Sequence, residues 1–313
     1  MRKWPTLNYR SNKMPKANHL TGQHEPLYTE KKFGKKPNIS YIDQFDAIKV
    51  TIVDAPTVEQ MRKLLPVFMY NSWQERPKFN GFTDEEIDTC IAELFAGSIL
   101  PTGMETIGIT FCVEGLDLVD VTHLIRHRAF SFSAQCSDRD LRDLTALVKP
   151  SIHENDEFFR RYIDIVRDSV QLYADMMDSG EVNTFDARTI LPICKSHFYN
   201  VRGCMKDIIA FCNQRCDEQI QPQSDNIIAI KLWLEISKLY PFLKDVVNLR
   251  QQAKYYIGQC AAGKTTIFPP NKANDVFNWP ESQFFHDKHR DEFNGGKAYL
   301  ELRDKLLSEL DNL

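Results

Sequence analysis

No apolar run in this 313-residue chain approaches the roughly 20 residues that a helix needs to cross a bilayer. The N-terminus reads Met-Arg-Lys-Trp-Pro and lacks the apolar stretch of a signal peptide. A cytoplasmic protein without a membrane partner is therefore expected. Metal-ligand spacing is missing too. The eight cysteines (Cys90, Cys112, Cys136, Cys194, Cys204, Cys212, Cys216 and Cys260) include no CxxC pair, and Cys212 and Cys216 have no second pair at zinc spacing. No metal is expected, and in a reducing compartment these thiols read as small core residues. There is no internal repeat. What is present is the composition of a globular protein: 42% hydrophobic against 26% charged residues suffices for a sizeable core.

The net charge of -4 hides an imbalance along the chain. Arg2, Lys3, Arg10, Lys13, Lys16, Lys31, Lys32, Lys35 and Lys36 face only Glu25 and Glu30 in the first forty residues. Such an arm can touch nucleic acid or another phosphate-rich partner. Low apolar content and Pro5, Pro15, Pro26 and Pro37 favour a solvated extension, so nucleic acid is not an expected partner.

Periodicity then divides the chain. Residues 49–53 (Lys-Val-Thr-Ile-Val) read as a strand, and Thr83 with Glu86 forms a capping box before Ile87, Ile91, Leu94 and Phe95. Residues 107–113 read as a second strand. Residues 117–127 read as a short helix that ends in the basic corner Arg126-His127-Arg128. A capping box at Ser151 and Glu154 opens a long helix that Gly180 closes. Further helices are expected over 197–219, 225–241 and 297–311. The fold class is α+β: one helix-rich domain over 46–245 with a small mixed or antiparallel sheet. A basic extension, 1–45, precedes it, and a C-terminal extension, 246–313, packs on it.

Arg126-His127-Arg128 offers three potentially cationic side chains at a helix end, followed by Ser131, Ser133 and Ser137. These are charge-assisted donors suited to phosphate or a flavin. The run from Thr122 to Ser133, with Ser137-Asp138-Arg139 behind it, resembles the signature of the flavin-dependent thymidylate synthases, with one residue inserted after Ser133. Thr102 and Glu105 precede the strand at 107–113 as that family's threonine-glutamate loop does. Downstream, Arg188-Thr-Ile-Leu191-Pro192 resembles its Arg-x-x-Leu-Pro block. Phe211 with Arg215, and Gln221 six residues later, resembles its Phe-x-x-x-Arg…Gln helix. The resemblance covers about residues 45–240.

The resemblance implies a homotetramer with shared active sites. In it, FAD recharged by NADPH supplies electrons and 5,10-methylenetetrahydrofolate supplies a carbon to C5 of dUMP. Arg126, Ser137, Arg139, Arg188 and Arg215 would hold the nucleotide, with His123 beside them and Arg215 also catalytic. Thr102, Glu105, His127, Arg128 and Lys206 would line the flavin. Several positions depart from the family pattern: His123 replaces a glutamine, Asp140 a tyrosine and Leu100 a histidine. The family's Asn-x-Arg flavin contact falls on Cys204 and Lys206, or on Asn200 and Arg202 four residues earlier. The arginines that grip phosphate survive while positions near base and flavin vary. A hydroxymethyl product on dUMP or dCMP is the obvious variant, since it needs the same methylene transfer but ends with water instead of hydride. The alternative is a non-catalytic relative that binds a pyrimidine nucleotide and has lost the flavin.

Two other patterns compete. Gly258 to Thr265 satisfies GxxxxGK[ST], but Gln251 to Tyr256 reads as helix where a P-loop needs a strand, and Pro269-Pro270 blocks the helix that should follow. His286 and His289 share a helix face but lie in a charged tail that reads as solvated.

Overall fold

The computed structural model describes residues 34–97, 101–134, 142–216, 223–249 and 296–313. Strand β1, Asn38–Asp43, passes through a one-turn helix α1, Gln44–Ala47, into β2, Lys49–Asp54. Helices α2, Val58–Asn71, and α3, Asp84–Phe95, each begin with a full capping box, Thr57 with Gln60 and Thr83 with Glu86. A 3-10 turn at Pro101–Thr106 leads into β3, Gly108–Leu116, and then α4, Leu118–Leu124. After β4, Ser131–Ala134, come β5, Asp143–Val148, a short α5, Pro150–His153, and the long α6, Asp156–Ser179. The chain continues through α7, Thr184–Ala187, β6, His197–Cys204, α8, Met205–Arg215, and α9, Gln223–Leu239. Helix α10, Gly296–Asp311, is the last described element.

Strands β2, β3, β6 and β4 form an antiparallel sheet in that order. Alternation explains its two faces. Ile109, Phe111 and Val113 of β3 and Val201 of β6 are fully buried in one core with Ile227, Ile230, Trp233 and Ile236 of α9. Thr110, Cys112, Asn200 and Arg202 take the outer face. Strand β3 bulges at Gly115, whose φ of +76° brings it against the backbone of Ala47. Strands β1 and β5 pair in parallel over a smaller core of Leu144, Ala146, Val166 and Val170, closed by α6. The class is α+β and helix-rich, as expected.

Local readings needed correction. Residues 197–204 are a strand, not the start of a helix; Phe198, Asn200 and Arg202 alternate with buried Val201 and Gly203, and the helix begins only at Met205. The helix after Asp117 stops at Leu124, leaving Arg126-His127-Arg128 in the turn beyond it. The box at Ser151 does not open the long helix. Asn155 does, accepting from the backbone N–H of Phe158 at 3.1 Å, and Gly180 closes it at φ +70°. Strand β1 lies in the stretch read as polar extension; only Ile39, Tyr41 and Asp43 turn inward, too few for a visible period. Helix α2 was not read at all.

Candidate active site

Helix α4 delivers the chain to the turn that carries Arg126, His127 and Arg128. The turn is pinned from below by Phe130, which is buried and makes an edge contact with Phe111 at 6.1 Å. Strand β6 passes under it at Gly203, where a Cβ would come within 2.6 Å of the Phe130 ring, so the close approach requires glycine. Strand β4 then leaves the turn and pairs Ser131 with Arg202 and Ser133 with Asn200.

His127 is half-buried, with its ring edge-on to Phe211 of α8 at 4.7 Å and stacked near Phe130 at 5.9 Å. Its Nε2 accepts a hydrogen bond from Arg215 Nε at 3.0 Å. Burial, with the Arg215 charge beside it, holds the imidazole down to about 4. At neutral pH His127 is a neutral acceptor with its proton on Nδ1. The triplet therefore carries two cations, Arg126 and Arg128, both exposed, and not three.

Arg215 is the centre of the arrangement. Its side chain is 7% exposed, and burial lowers the guanidinium from its usual range. Its Nη1 donates to Asp225 Oδ2 at 3.1 Å and its Nη2 to the His123 carbonyl at 3.1 Å. Asp225, in the first turn of α9, is equally buried, and the same Oδ2 lies 2.8 Å from His123 Nδ1. A carboxylate there can only accept, so His123 Nδ1 bears a proton. Asn226 Nδ2 donates to the Arg215 carbonyl at 2.6 Å, and Tyr299 of α10 donates to Asn226 Oδ1 at 3.2 Å. The end of α8 is thereby tied to α4, α9 and α10.

Other expected residues lie apart from this knot. Lys206 Nζ sits 2.6 Å from Glu105 Oε1, both half-exposed, and this contact raises the Lys206 amine above its usual range. Thr102 is exposed on the 3-10 turn beside Glu105. Arg188 lies over the Phe185 ring at 5.0 Å and makes no polar contact with the Arg215 network among the described residues. Ser137, Arg139, Gln221, the GxxxxGK[ST] stretch and the His286–His289 pair lie outside the described residues. Cys204 stands at the start of α8 and its thiol donates to the Asp207 carboxylate at 2.8 Å, whereas Asn200 and Arg202 point from β6 to the outer face that Ser131 and Ser133 share. Arg202 also reaches Thr110 Oγ1 at 2.8 Å and Asp54 at 3.3 Å. Sequence reading missed Asp225 and Asn226 altogether. Their only signal was a polar Ser224-Asp225-Asn226 run opening an apolar helix, which reads as an ordinary solvated cap.

The fold is thus a helix-rich α+β core in which a two-arginine turn is fastened by a buried arginine from a distant helix. Residues 51–242 match the family model described as thymidylate synthase complementing protein, so the chain belongs to that family, the flavin-dependent thymidylate synthases. A flavin-dependent thymidylate synthase from Thermococcus onnurineus (strain NA1) is 26% identical over 205 residues, which is 62% of this chain and 80% of that protein. One from Pyrococcus furiosus is 29% identical over 94 residues, 28% of this chain and 38% of the relative. The crystal structure of a UMP/dUMP methylase, PolB from Streptomyces cacaoi, bound with 5-Br dUMP, matches with a TM-score of 0.54 at 15% identity. The match covers 66% of this chain and 96% of that one, a likeness of fold.

Proposed function

We propose that this protein is a transferase that moves a one-carbon unit from 5,10-methylenetetrahydrofolate to C5 of a pyrimidine deoxynucleotide, with FAD and NADPH. The observation that carries this reading is the 3.0 Å contact between Arg215 and His127. It brings the two blocks of the family resemblance, 88 residues apart in the chain, into contact, which supports one shared site.

Two exposed arginines backed by a buried third suit a phosphate dianion, because each guanidinium can offer paired donors and their fields add. Arg126, Ser137 and Arg139 would meet the nucleotide. Arg215 acts from behind the turn, ion-paired with Asp225, and its Nε and Nη2 set His127 and the His123 carbonyl where the bound base would meet them. Arg188, set apart on Phe185, would complete the site of a neighbouring subunit in a homotetramer.

The donor set also suits a dinucleotide flavin. The outer face of the sheet carries hydroxyls at Ser131 and Ser133, an amide at Asn200 and a cation at Arg202, and the turn adds Arg128. Thr102, Glu105 and Lys206 lie at the neighbouring corner, where Lys206 arrives already neutralised by Glu105. We therefore favour Asn200 and Arg202 for the Asn-x-Arg contact. Bound flavin supplies the reducing electrons; the protein's part is to hold base and folate together, exclude water and keep His127 unprotonated.

Incubation of dUMP or dCMP with FAD, NADPH and methylenetetrahydrofolate, read by mass spectrometry, tests the reading. A gain of a methyl or hydroxymethyl group on one nucleotide is expected. Retained yellow flavin that NADPH bleaches should accompany it. Nucleotide binding without flavin or product would instead establish the non-catalytic relative.

A further inference from the structure

Beneath the site, one carboxylate gathers several elements. Asp120 of α4 is buried, and its Oδ1 accepts from Ser224 Oγ at 2.5 Å. Its Oδ2 accepts from the backbone N–H of Asp117 at 3.1 Å and from Gln44 Nε2 of α1. Lys149, just before α5, reaches Asp117 at 2.9 Å, Ser224 Oγ at 3.3 Å and Asp120 Oδ1 at 3.9 Å. Ser224 directly precedes Asp225 in the first turn of α9. Whatever fixes Ser224 therefore fixes the carboxylate that His123 and Arg215 share.

We propose that Asp120 and Ser224 are positioning residues: the bond from Ser224 Oγ to Asp120 Oδ1 sets the first turn of α9 and, through Asp225, the orientation of the His123 ring and the Arg215 guanidinium. Two features mark the cluster as more than a structural cap. Gln44 Oε1 is buried beside it without a hydrogen-bond partner among the described residues. A half-turn of that amide would set Oε1 toward Asp120 Oδ2, a contact that needs a proton on the carboxyl. Burial raises Asp120 to about 7; Lys149 opposes this while Asp117 and Asp225 add to it. The cluster thus changes charge in the neutral range, and Gln44 offers a matching group for either state. The inference rests on reading His123 and Arg215 as parts of the site.

The test uses the His123 Nδ1–H proton, which a bond to a carboxylate shifts downfield in the NMR spectrum and which His123→Gln identifies by its loss. In Ser224→Ala and in Asp120→Asn this resonance is expected to move upfield or vanish into solvent exchange, and Ser224→Thr should restore it. Ser224→Ala leaves the Asp120 side chain in place and removes the hydroxyl that links it to α9, along with that hydroxyl's contact to Lys149. A resonance unchanged in Ser224→Ala, with or without a change in Asp120→Asn, would overturn the proposal and leave at most a long-range charge effect. The readout needs no nucleotide. A protein that binds neither dUMP nor dCMP sinks the proposed function without touching this result, and an unmoved resonance does the reverse.

Discussion

Asp225 shows how much one oxygen can hold. Its Oδ2 serves Arg215 Nη1 and His123 Nδ1 together, in a setting where neither Asp225 nor Arg215 is more than 7% exposed. Removing the carboxylate leaves a guanidinium buried without its counter-charge, so Asp225→Ala should cost about 3–5 kcal/mol. Urea unfolding measures this directly; a loss under about 1 kcal/mol would mean that water replaces the pair. His127 gives a second prediction. Its folded pKa of about 4 lies below its unfolded value, so between about 4 and 6.5 the unfolded chain binds a proton that the folded one lacks. Its contribution to stability is present above that window and is lost as pH falls through it. His127→Gln keeps an acceptor for Arg215 but cannot titrate. Wild type should therefore lose more stability than the variant between pH 7 and pH 4.5, and parallel losses would show that the ring is not held neutral. At this scale the sequence named Arg215, His127 and His123. It could not name Asp225, because an acidic residue in a helix's first turn ordinarily serves the helix dipole in solvent.

Among the elements, the starts and stops of helices were the most legible. Thr83 with Glu86 and the closing Gly180 stand where local chemistry put them. The start of α6 was not. Ser151 with Glu154 has the right spacing, yet Pro150 draws those residues into a separate short helix and Asn155 becomes the cap. Asn155→Ala should lower stability by about 1 kcal/mol, while Ser151→Ala should stay within about 0.5 kcal/mol. Equal effects in thermal melts would restore the sequence reading. The bulge at Gly115 offers a sharper test of the sheet. A side chain there meets the Ala47 carbonyl at 2.4 Å and is forced to φ +76°. Gly115→Ala should cost more than the roughly 1–2 kcal/mol of the left-handed backbone alone. A circular-dichroism melt displaced by less than that amount would mean the bulge relaxes. Strand β6 runs straight into α8 at Met205, so the sequence showed one stretch over 197–219, and the pairing with β3 and β4 sets 197–204 apart as a strand.

Across the whole molecule, the large core joins the antiparallel sheet to α9 and α10, and the small one holds the β1–β5 pair against α6. No helix among the described residues is long and apolar enough to cross a membrane. Exposed Phe158, Ile165 and Leu172 line one face of α6 at seven-residue spacing, and the shared-site homotetramer proposed above calls for contacts of this kind. Sedimentation velocity should therefore show a species near four times 36.4 kDa. A monomer at micromolar concentration would remove Arg188 from the site as proposed here.

By itself the sequence determined the class of fold, the capped start of α3, the approximate spans of α9 and α10, and the two blocks that carry the family's signature. All of these follow from side-chain period and from contacts within a few residues. Only the tertiary structure decided that Arg215 meets His127 across 88 residues and that Asp225 meets His123 across 102. It also decided that one histidine of the triplet region is neutral and that Asp120 and Ser224 lie beneath the site. The reason is burial. Desolvation turns an ordinary polar residue into an obligate partner and moves its pKa, and no local pattern records which polar residues the fold will take out of water.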